Sequence, residues 1–303
     1  IVLGVIDVRT DAVLTGFTIF AIWQLVAYVE KGKVLAIVLG AFGAGLAFST
    51  KGQIALLVIG ICLFCHLLYT RKWNRLFHWK VLLALVCFGI AIAPMLYAYY
   101  HQFDLHPEKV IRGRNQRSGI FFIFWEQSFE RLSGTGMGKN SSDYFFFFHT
   151  FLWVFLPWTV LALIGYWRRI KTFAKLRFKF NPKYEFLTLG GITLVFFIIS
   201  FAQFKLPHYM NIMMPLYAIL TASYLHSLHR FTKHKEIKFL LGVQYFILAL
   251  VFIFSVLICF YVFKFENWYN FVLLILVLVT ITYFCLKREA YYMRIITLSV
   301  ASS

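Results

Sequence analysis

With 303 residues, 61% of them hydrophobic and only 14% charged, and a mean hydropathy of +0.76, the chain falls outside the soluble globular class, which averages roughly half apolar and about a quarter charged. A fifth of the residues are aromatic and the formal net charge is +18. That charge would suit nucleic acid only if it were gathered on one polar surface, and its distribution along the chain excludes this reading. The composition instead predicts an all-α, polytopic transmembrane helix bundle.

The first stretch, residues 1–10, reads as the end of a preceding helix, without the basic start and cleavage site of a signal peptide; upstream membrane helices are therefore expected. A spanning helix needs about 20 mostly apolar residues. Nine candidates follow in order, near 12–29, 34–50, 53–70, 80–100, 144–167, 185–204, 208–226, 239–263 and 270–286. The expected organisation is spans over 11–100, a long outer loop over 101–143 carrying a short amphipathic helix, spans over 144–290, and a C-terminal stub over 291–303. The five cysteines all lie in apolar runs, where Cys behaves as a small hydrophobe, and they imply no disulfide framework.

Alternation of the spans puts the connectors 30–33, 71–80, 168–183, 226–238 and 287–294 on one side, with 20 of the 30 Lys and Arg and, counting Glu185 just beyond the third connector, four of the 12 acids. The positive-inside rule makes that side cytoplasmic. The opposite, outer side then collects Asp11, Lys51, Arg131, Lys205 and Tyr209 at the ends of different helices. Each cation alone is open to a bland reading, an interfacial anchor that snorkels. Lys51 is the least bland of them, because it sits in a two-residue turn inside "LAFSTKGQIALL" (46–57) with almost no polar company, and cations at membrane depth usually face a cavity or a partner. Pro207, next to Lys205, suits the first turn of the helix that follows.

Several short motifs carry little weight. "CLFCH" (62–66) has haem-attachment spacing but lies inside a span. "SGTGMGKN" (133–140) lacks the first Gly and the Ser/Thr of a phosphate loop, and no strand precedes it. His226, His229 and His234 lie in a basic connector without a Cys or acid spaced to complete a zinc site. "YFFFFH", ending at His149, reads as an interfacial aromatic belt, and Pro157 predicts a kink in the span at 144–167.

Five pieces occur in a telling order: "DVRTDAVLTGF" (7–17), "FSTKGQIAL" (48–56), "FFIFWEQSFERL" (121–132), "FFFFHTFLWVFLPWTVLALIG" (145–165) and "KLPHYMNIMMPLYAIL" (205–220). This order resembles the bacterial GT-C glycosyltransferases of the aminoarabinose-transferase and protein O-mannosyltransferase type, over most of residues 7–225. The resemblance implies an enzyme that takes a sugar from a polyprenyl-phosphate carrier and passes it to a lipid or protein acceptor at the periplasmic face of the bacterial inner membrane. It implies phosphate contacts for Lys51, for Arg131 (six residues after Trp125) and for Tyr209, and it matches Asp11 to the acid that opens a span; Asp11, with Glu126 and Glu130, is also a candidate catalytic carboxylate to orient or deprotonate the acceptor. The family's catalytic acid lies in a first outer loop, which the resemblance places ahead of Ile1.

The chemistry fits these residue types. A phosphodiester carrier leaves with a charge approaching two, so fixed cations help the transition state more than the ground state. Lys51, Arg131 and Lys205 are the expected cations, Arg131 through its bidentate fork, and Tyr209 adds a neutral contact. Arg112, Arg114 and Arg117 are candidates for an anionic acceptor, such as lipid A, or for membrane headgroups. A divalent metal ion is compatible with the reaction and not readable from the residues. Two rival classes are a transporter or flippase for an anionic lipid-linked substrate, whose charges should reach both faces, and a scaffold subunit, which would leave Lys51 and Arg131 unrelated in space. The O-antigen ligases and polymerases, which use a diphosphate carrier, show less of their pattern here.

Overall fold

The structure is a computed structural model describing residues 10–109, 118–126, 129–130, 143–230, 234–261 and 291–301, with scattered positions between 269 and 283. Its described residues are helical and contain no strand. In order, the helices are α1 (Asp11–Lys31), α2 (Val34–Lys51), α3 (Gln53–Thr70), α4 (Lys80–Tyr99), α5 (Phe146–Val154), α6 (Thr159–Lys175), α7 (Leu187–Phe201), α8 (Met214–Arg230), α9 (His234–Tyr261) and α10 (Tyr291–Ala301). Among the described residues, five stretches are long and apolar enough to cross a bilayer: α1, α2, α3, the α4 region from Lys80 to Asp104, and Lys235–Phe254 within α9. The chain is a helical membrane protein.

The span predicted over 144–167 is two helices, because the ladder stops at Val154 and resumes at Thr159. Pro157, which has no N–H to donate, lies in the gap, and the Leu156–Pro157 peptide is cis. The span predicted over 208–226 opens as a 3-10 helix, Pro207–Met213, before α8 begins. The span predicted over 270–286 falls largely outside the described residues.

The chain divides into two compact units. One comprises Leu3–Thr150 and Arg169–Tyr217, and the other Phe151–Arg168 and Ala218–Ser303 together with the first two residues. In the first unit α1, α2 and α3 pack together, α4 lies on α2 and α7 lies on α3. Close approach of α2 and α4 depends on Gly45, where an added Cβ would stand 2.5 Å from Ala91 Cβ and 3.1 Å from the Phe88 carbonyl oxygen. Small residues serve this purpose between membrane helices, where packing rather than hydrophobic burial drives association. Cys62 and Cys65 are buried against Gly191 and Gly190 of α7 and pack as small hydrophobes. The outward face of α4 is apolar, with Leu82, Leu85, Val86 and Ile90 exposed, as lipid contact requires. In the second unit Leu161, Leu228, Leu240, Ile295 and Leu298 form the core. There Arg168 pairs with Glu236 and lies 5.2 Å from the Tyr224 ring centroid, while buried Gln244 donates to the Pro157 carbonyl at 3.2 Å.

The connectors predicted on the cytoplasmic side come together in the first unit. Glu30 pairs with Lys72 and with His66, Lys80 Nζ donates to the Gly32 carbonyl at 2.9 Å, and Tyr28 donates to the Arg75 carbonyl at 3.1 Å. Tyr69, 2% exposed, sits among Phe173, Phe178, Phe180 and Phe186 with centroid separations of 5.3, 5.6, 5.4 and 6.3 Å, and its hydroxyl accepts the Asn181 N–H at 2.9 Å. Tyr69→Ala empties this cage and should destabilise it by about 3–5 kcal/mol, whereas Tyr69→Phe removes only the hydroxyl contacts, at about 1 kcal/mol. Limited trypsin digestion at Arg177 and Lys179 checks this: cleavage should accelerate strongly in the first variant and slightly in the second.

Candidate active site

The site is built on a helical hairpin. α1 and α2 run antiparallel across a Gly32 turn, so the first residue of α1 and the last of α2 share an end. Those residues are Asp11 and Lys51, and they form an ion pair. The pairing agrees with both helix dipoles, since Asp11 lies at a positive N-terminus and Lys51 at a negative C-terminus. Asp11 is 5% exposed, and 17% of the Lys51 side-chain surface is reached by solvent. Two charges so placed cost desolvation that their attraction repays only with good geometry. Gly52 ends α2 at φ +73°, a value that favours glycine, and starts α3 at once. This reverses the chain immediately beyond Lys51 and keeps that lysine at a rim of the bundle.

Tyr209 reaches the pair from a third element. Leu206 is extended, Pro207 opens the 3-10 helix as expected, and the Tyr209 N–H donates to the Leu206 carbonyl at 3.0 Å. The 3-10 helix packs on α1, and the Tyr209 ring centroid lies 5.3 Å from Lys51 Nζ, a cation–π distance. The Phe204 and His208 rings flank Tyr209 at 6.2 and 4.9 Å. The contact with Lys51 is thus made through the ring face, in addition to whatever the hydroxyl contributes.

Lys205 is 6% exposed and differently engaged. Its ammonium donates to the Asp143 carbonyl at 2.8 Å and lies 5.2 Å from the Tyr144 ring centroid. Burial pushes its pKa below the usual lysine value, while the Asp143 carboxylate acts in the opposite direction. Asp143 itself is held by His149, whose Nε2 lies 2.9 Å from Oδ2, and by the Phe145 N–H at 2.8 Å. The His149 hydrogen bond, with smaller help from Phe145 and from the charges of His149 and Lys205, holds the Asp143 carboxyl below its ordinary range. The motif reading set His149 aside as part of an aromatic belt, and the structure gives it this fixing contact.

The described parts of the predicted outer loop lie beside the same helix end. Asp104 Oδ2 accepts the Gly119 and Ile120 N–H groups at 3.0 and 3.4 Å, and the Phe124 ring lies 5.4 Å from that of Phe48, three residues before Lys51. A single helical turn, Gly119–Phe121, leads into a wider turn at Phe122–Glu126. Arg131 and the candidate acceptor contacts Arg112, Arg114 and Arg117 lie outside the described residues. Among the described residues no group of three or more His, Cys, Asp or Glu is placed to hold a metal ion.

The convergence of Asp11, Lys51 and Tyr209 makes a charge-bearing contact at an otherwise apolar helix end. Of the three N–H donors of Lys51, Asp11 engages one, which leaves the ammonium able to meet an anion while remaining fixed.

Known proteins resemble the chain in sequence and in fold. Residues 1–97 match the family model described as dolichyl-phosphate-mannose-protein mannosyltransferase. Over 230 residues the chain is 26% identical to the undecaprenyl phosphate-alpha-4-amino-4-deoxy-L-arabinose arabinosyl transferase 2 of Proteus mirabilis (strain HI4320), covering 73% of this chain and 36% of that protein. The fold matches the crystal structure of ArnT from Cupriavidus metallidurans bound to undecaprenyl phosphate, with TM-score 0.65, 18% identity, and coverage of 97% of this chain and 51% of that one. The apo state of the same protein gives TM-score 0.64. The chain thus spans about a third of the curated relative and about half of the solved one. The resemblance read from the ordered motifs is borne out: in sequence and fold the chain is similar to the GT-C glycosyltransferases of the aminoarabinose-transferase type.

Proposed function

We propose that the chain forms the donor-phosphate part of a membrane glycosyltransferase. This enzyme takes a sugar from a polyprenyl-phosphate carrier and transfers it, with inversion, to a lipid A-like or protein acceptor at the periplasmic face of the bacterial inner membrane. The observation that carries the proposal is the meeting of Lys51, Asp11 and Tyr209, from three separate elements, at one rim of the bundle. Lys51 faces the carrier phosphate and gains interaction as the C1–O bond breaks and the leaving group takes up its second charge. Asp11 and the Tyr209 ring fix where the ammonium stands. Arg131 and Lys205 add positive charge, and Arg112, Arg114 and Arg117 face the acceptor.

The test uses the whole protein in proteoliposomes with a radiolabelled undecaprenyl-phosphate sugar. Release of free carrier phosphate together with label in lipid A or in a protein acceptor supports the proposal. Movement of the labelled lipid between leaflets with its C1–O bond intact would favour the flippase reading and overturn this one. Absence of both activities also overturns it.

A further inference from the structure

At the other end of the bundle, cations divide into those with an internal partner and those without. In the first unit the acids of the basic side are taken. Glu30 serves Lys72 and His66, while Glu185 accepts the Thr188 N–H at 2.9 Å and hydroxyl at 2.5 Å and stands 3.8 Å from Arg169. Lys175, Arg177, Lys179 and Lys183 are exposed, and among the described residues their side chains form no ion pair or hydrogen bond. Lys175 ends α6, and the other three lie on the loop between α6 and α7.

The loop is held in a definite shape. Arg177 N–H donates to the Ala174 carbonyl at 3.0 Å, Phe178 N–H to Phe173 at 3.1 Å and Lys179 N–H to Leu176 at 2.9 Å. Arg177 and Phe178 take left-handed backbone conformations, φ 47° and 56°, which side-chain-bearing residues adopt only where their surroundings over-determine them. The Tyr69 cage supplies that determination from α3. Between the cations stand two rings of the cage that remain partly outside it, Phe180 at 55% and Phe178 at 39% exposed, and Tyr184, 37% exposed, follows Lys183 with Arg169 5.8 Å from its ring centroid.

Exposed cations alternating with exposed rings, directly joined to apolar helices, match the chemistry of an anionic membrane surface. Rings sit at the level of the headgroups, and ammonium and guanidinium groups meet lipid phosphates. We infer that this loop is a docking site for anionic phospholipid headgroups, pinned to the end of α3 remote from Lys51. The inference is independent of the proposed transfer reaction. It differs from a general orientation effect because it assigns lipid contact to four named cations on a fixed scaffold rather than to the side as a whole.

The test compares the whole wild-type protein with a variant carrying Lys175→Gln, Arg177→Gln, Lys179→Gln and Lys183→Gln. A control of equal charge change carries Lys31→Gln, Lys33→Gln, Lys235→Gln and Lys238→Gln. Each is titrated with phosphatidylglycerol or phosphatidylcholine, and retained lipid is read by native mass spectrometry. The loop variant is expected to hold phosphatidylglycerol roughly tenfold or more weakly, with phosphatidylcholine unchanged and the control close to wild type. In parallel, trypsin cleavage of wild-type protein after Arg177 and Lys179 should be slower in nanodiscs containing phosphatidylglycerol than in phosphatidylcholine alone, a readout that needs no variant. Equal retention by the loop variant, equal loss in the control, or cleavage indifferent to lipid charge each overturns the inference. Protection by a protein from the same membrane, but not by lipid, does so as well.

Discussion

Substituting Lys51 by Met in the whole protein is expected to lower the rate of sugar transfer about 10²–10³-fold, the scale for loss of one charge-stabilising group. The same change strands the Asp11 carboxylate, which is 5% exposed, and stranding one member of a buried pair costs about 3–5 kcal/mol. Rate and stability must therefore be separated. The double variant Asp11→Asn/Lys51→Met removes both charges, and its thermal midpoint should return most of the way to wild type while its turnover stays low. If turnover recovers with stability, Lys51 acts only as a structural partner of Asp11, and the assigned phosphate contact is wrong. Tyr209→Leu, which keeps bulk and removes the ring face, should show a smaller loss of rate with little change in midpoint.

Gly45→Leu is expected to have the largest effect on stability. Even Gly45→Ala drives a methyl group toward Ala91 Cβ and the Phe88 carbonyl oxygen, and the latter belongs to backbone that cannot rotate away. Overpacking of this kind costs about 1–3 kcal/mol for a small group and more for a large one. Because Lys51 lies six residues further along α2, parting α2 from α4 should also lower transfer activity. Pairing Gly45→Ala with Ala91→Gly returns the lost space at the nearer of the two contacts and should recover a large part of the thermal midpoint. If no recovery follows, the close approach is not what limits the fold.

The apolar runs were readable because lipid imposes one rule on every spanning segment. The first four helices coincide with their predicted spans to within a few residues, and the connectors assigned to one side by charge are tied together by Glu30–Lys72, Lys80–Gly32 and Tyr28–Arg75. The break between α5 and α6 was visible as Pro157, but a proline in a run shows only that the ladder is interrupted, not whether the helix bends or ends. At the site, Lys51 stood out by its isolation and Tyr209 by its motif. Their neighbour Asp11 was matched to a family acid, yet its pairing with Lys51 went unread, because the two are forty residues apart and linear spacing carries no distance between them. A signal existed: in an antiparallel pair of full-length spans, the first residue of one faces the last residue of the other. The Tyr69 cage had no such signal, since its partners begin over a hundred residues later, and neither did the engagement of Lys205 by the Asp143 carbonyl. Arg131 lies outside the described residues, although Phe124, in the segment leading to it, packs three residues from Lys51.

The Asp11–Lys51 pair and the Glu30–Lys72 pair stand at opposite ends of the α1–α2 hairpin. The 18 residues of α2 rise about 27 Å at 1.5 Å each, close to the roughly 30 Å of hydrocarbon they cross. The Lys51 ammonium is thus held where hydrocarbon gives way to the polar layer, the depth at which an amphiphile anchored by an isoprenoid tail already carries its phosphate. Pulling such a tail into water would cost about 0.8 kcal/mol for every methylene exposed, and a catalyst at this depth never has to do so. On the proposed function it would meet its carrier by sideways diffusion within the bilayer, and its saturation would follow the mole fraction of carrier there, so dilution with inert lipid should slow it while dilution with buffer should not.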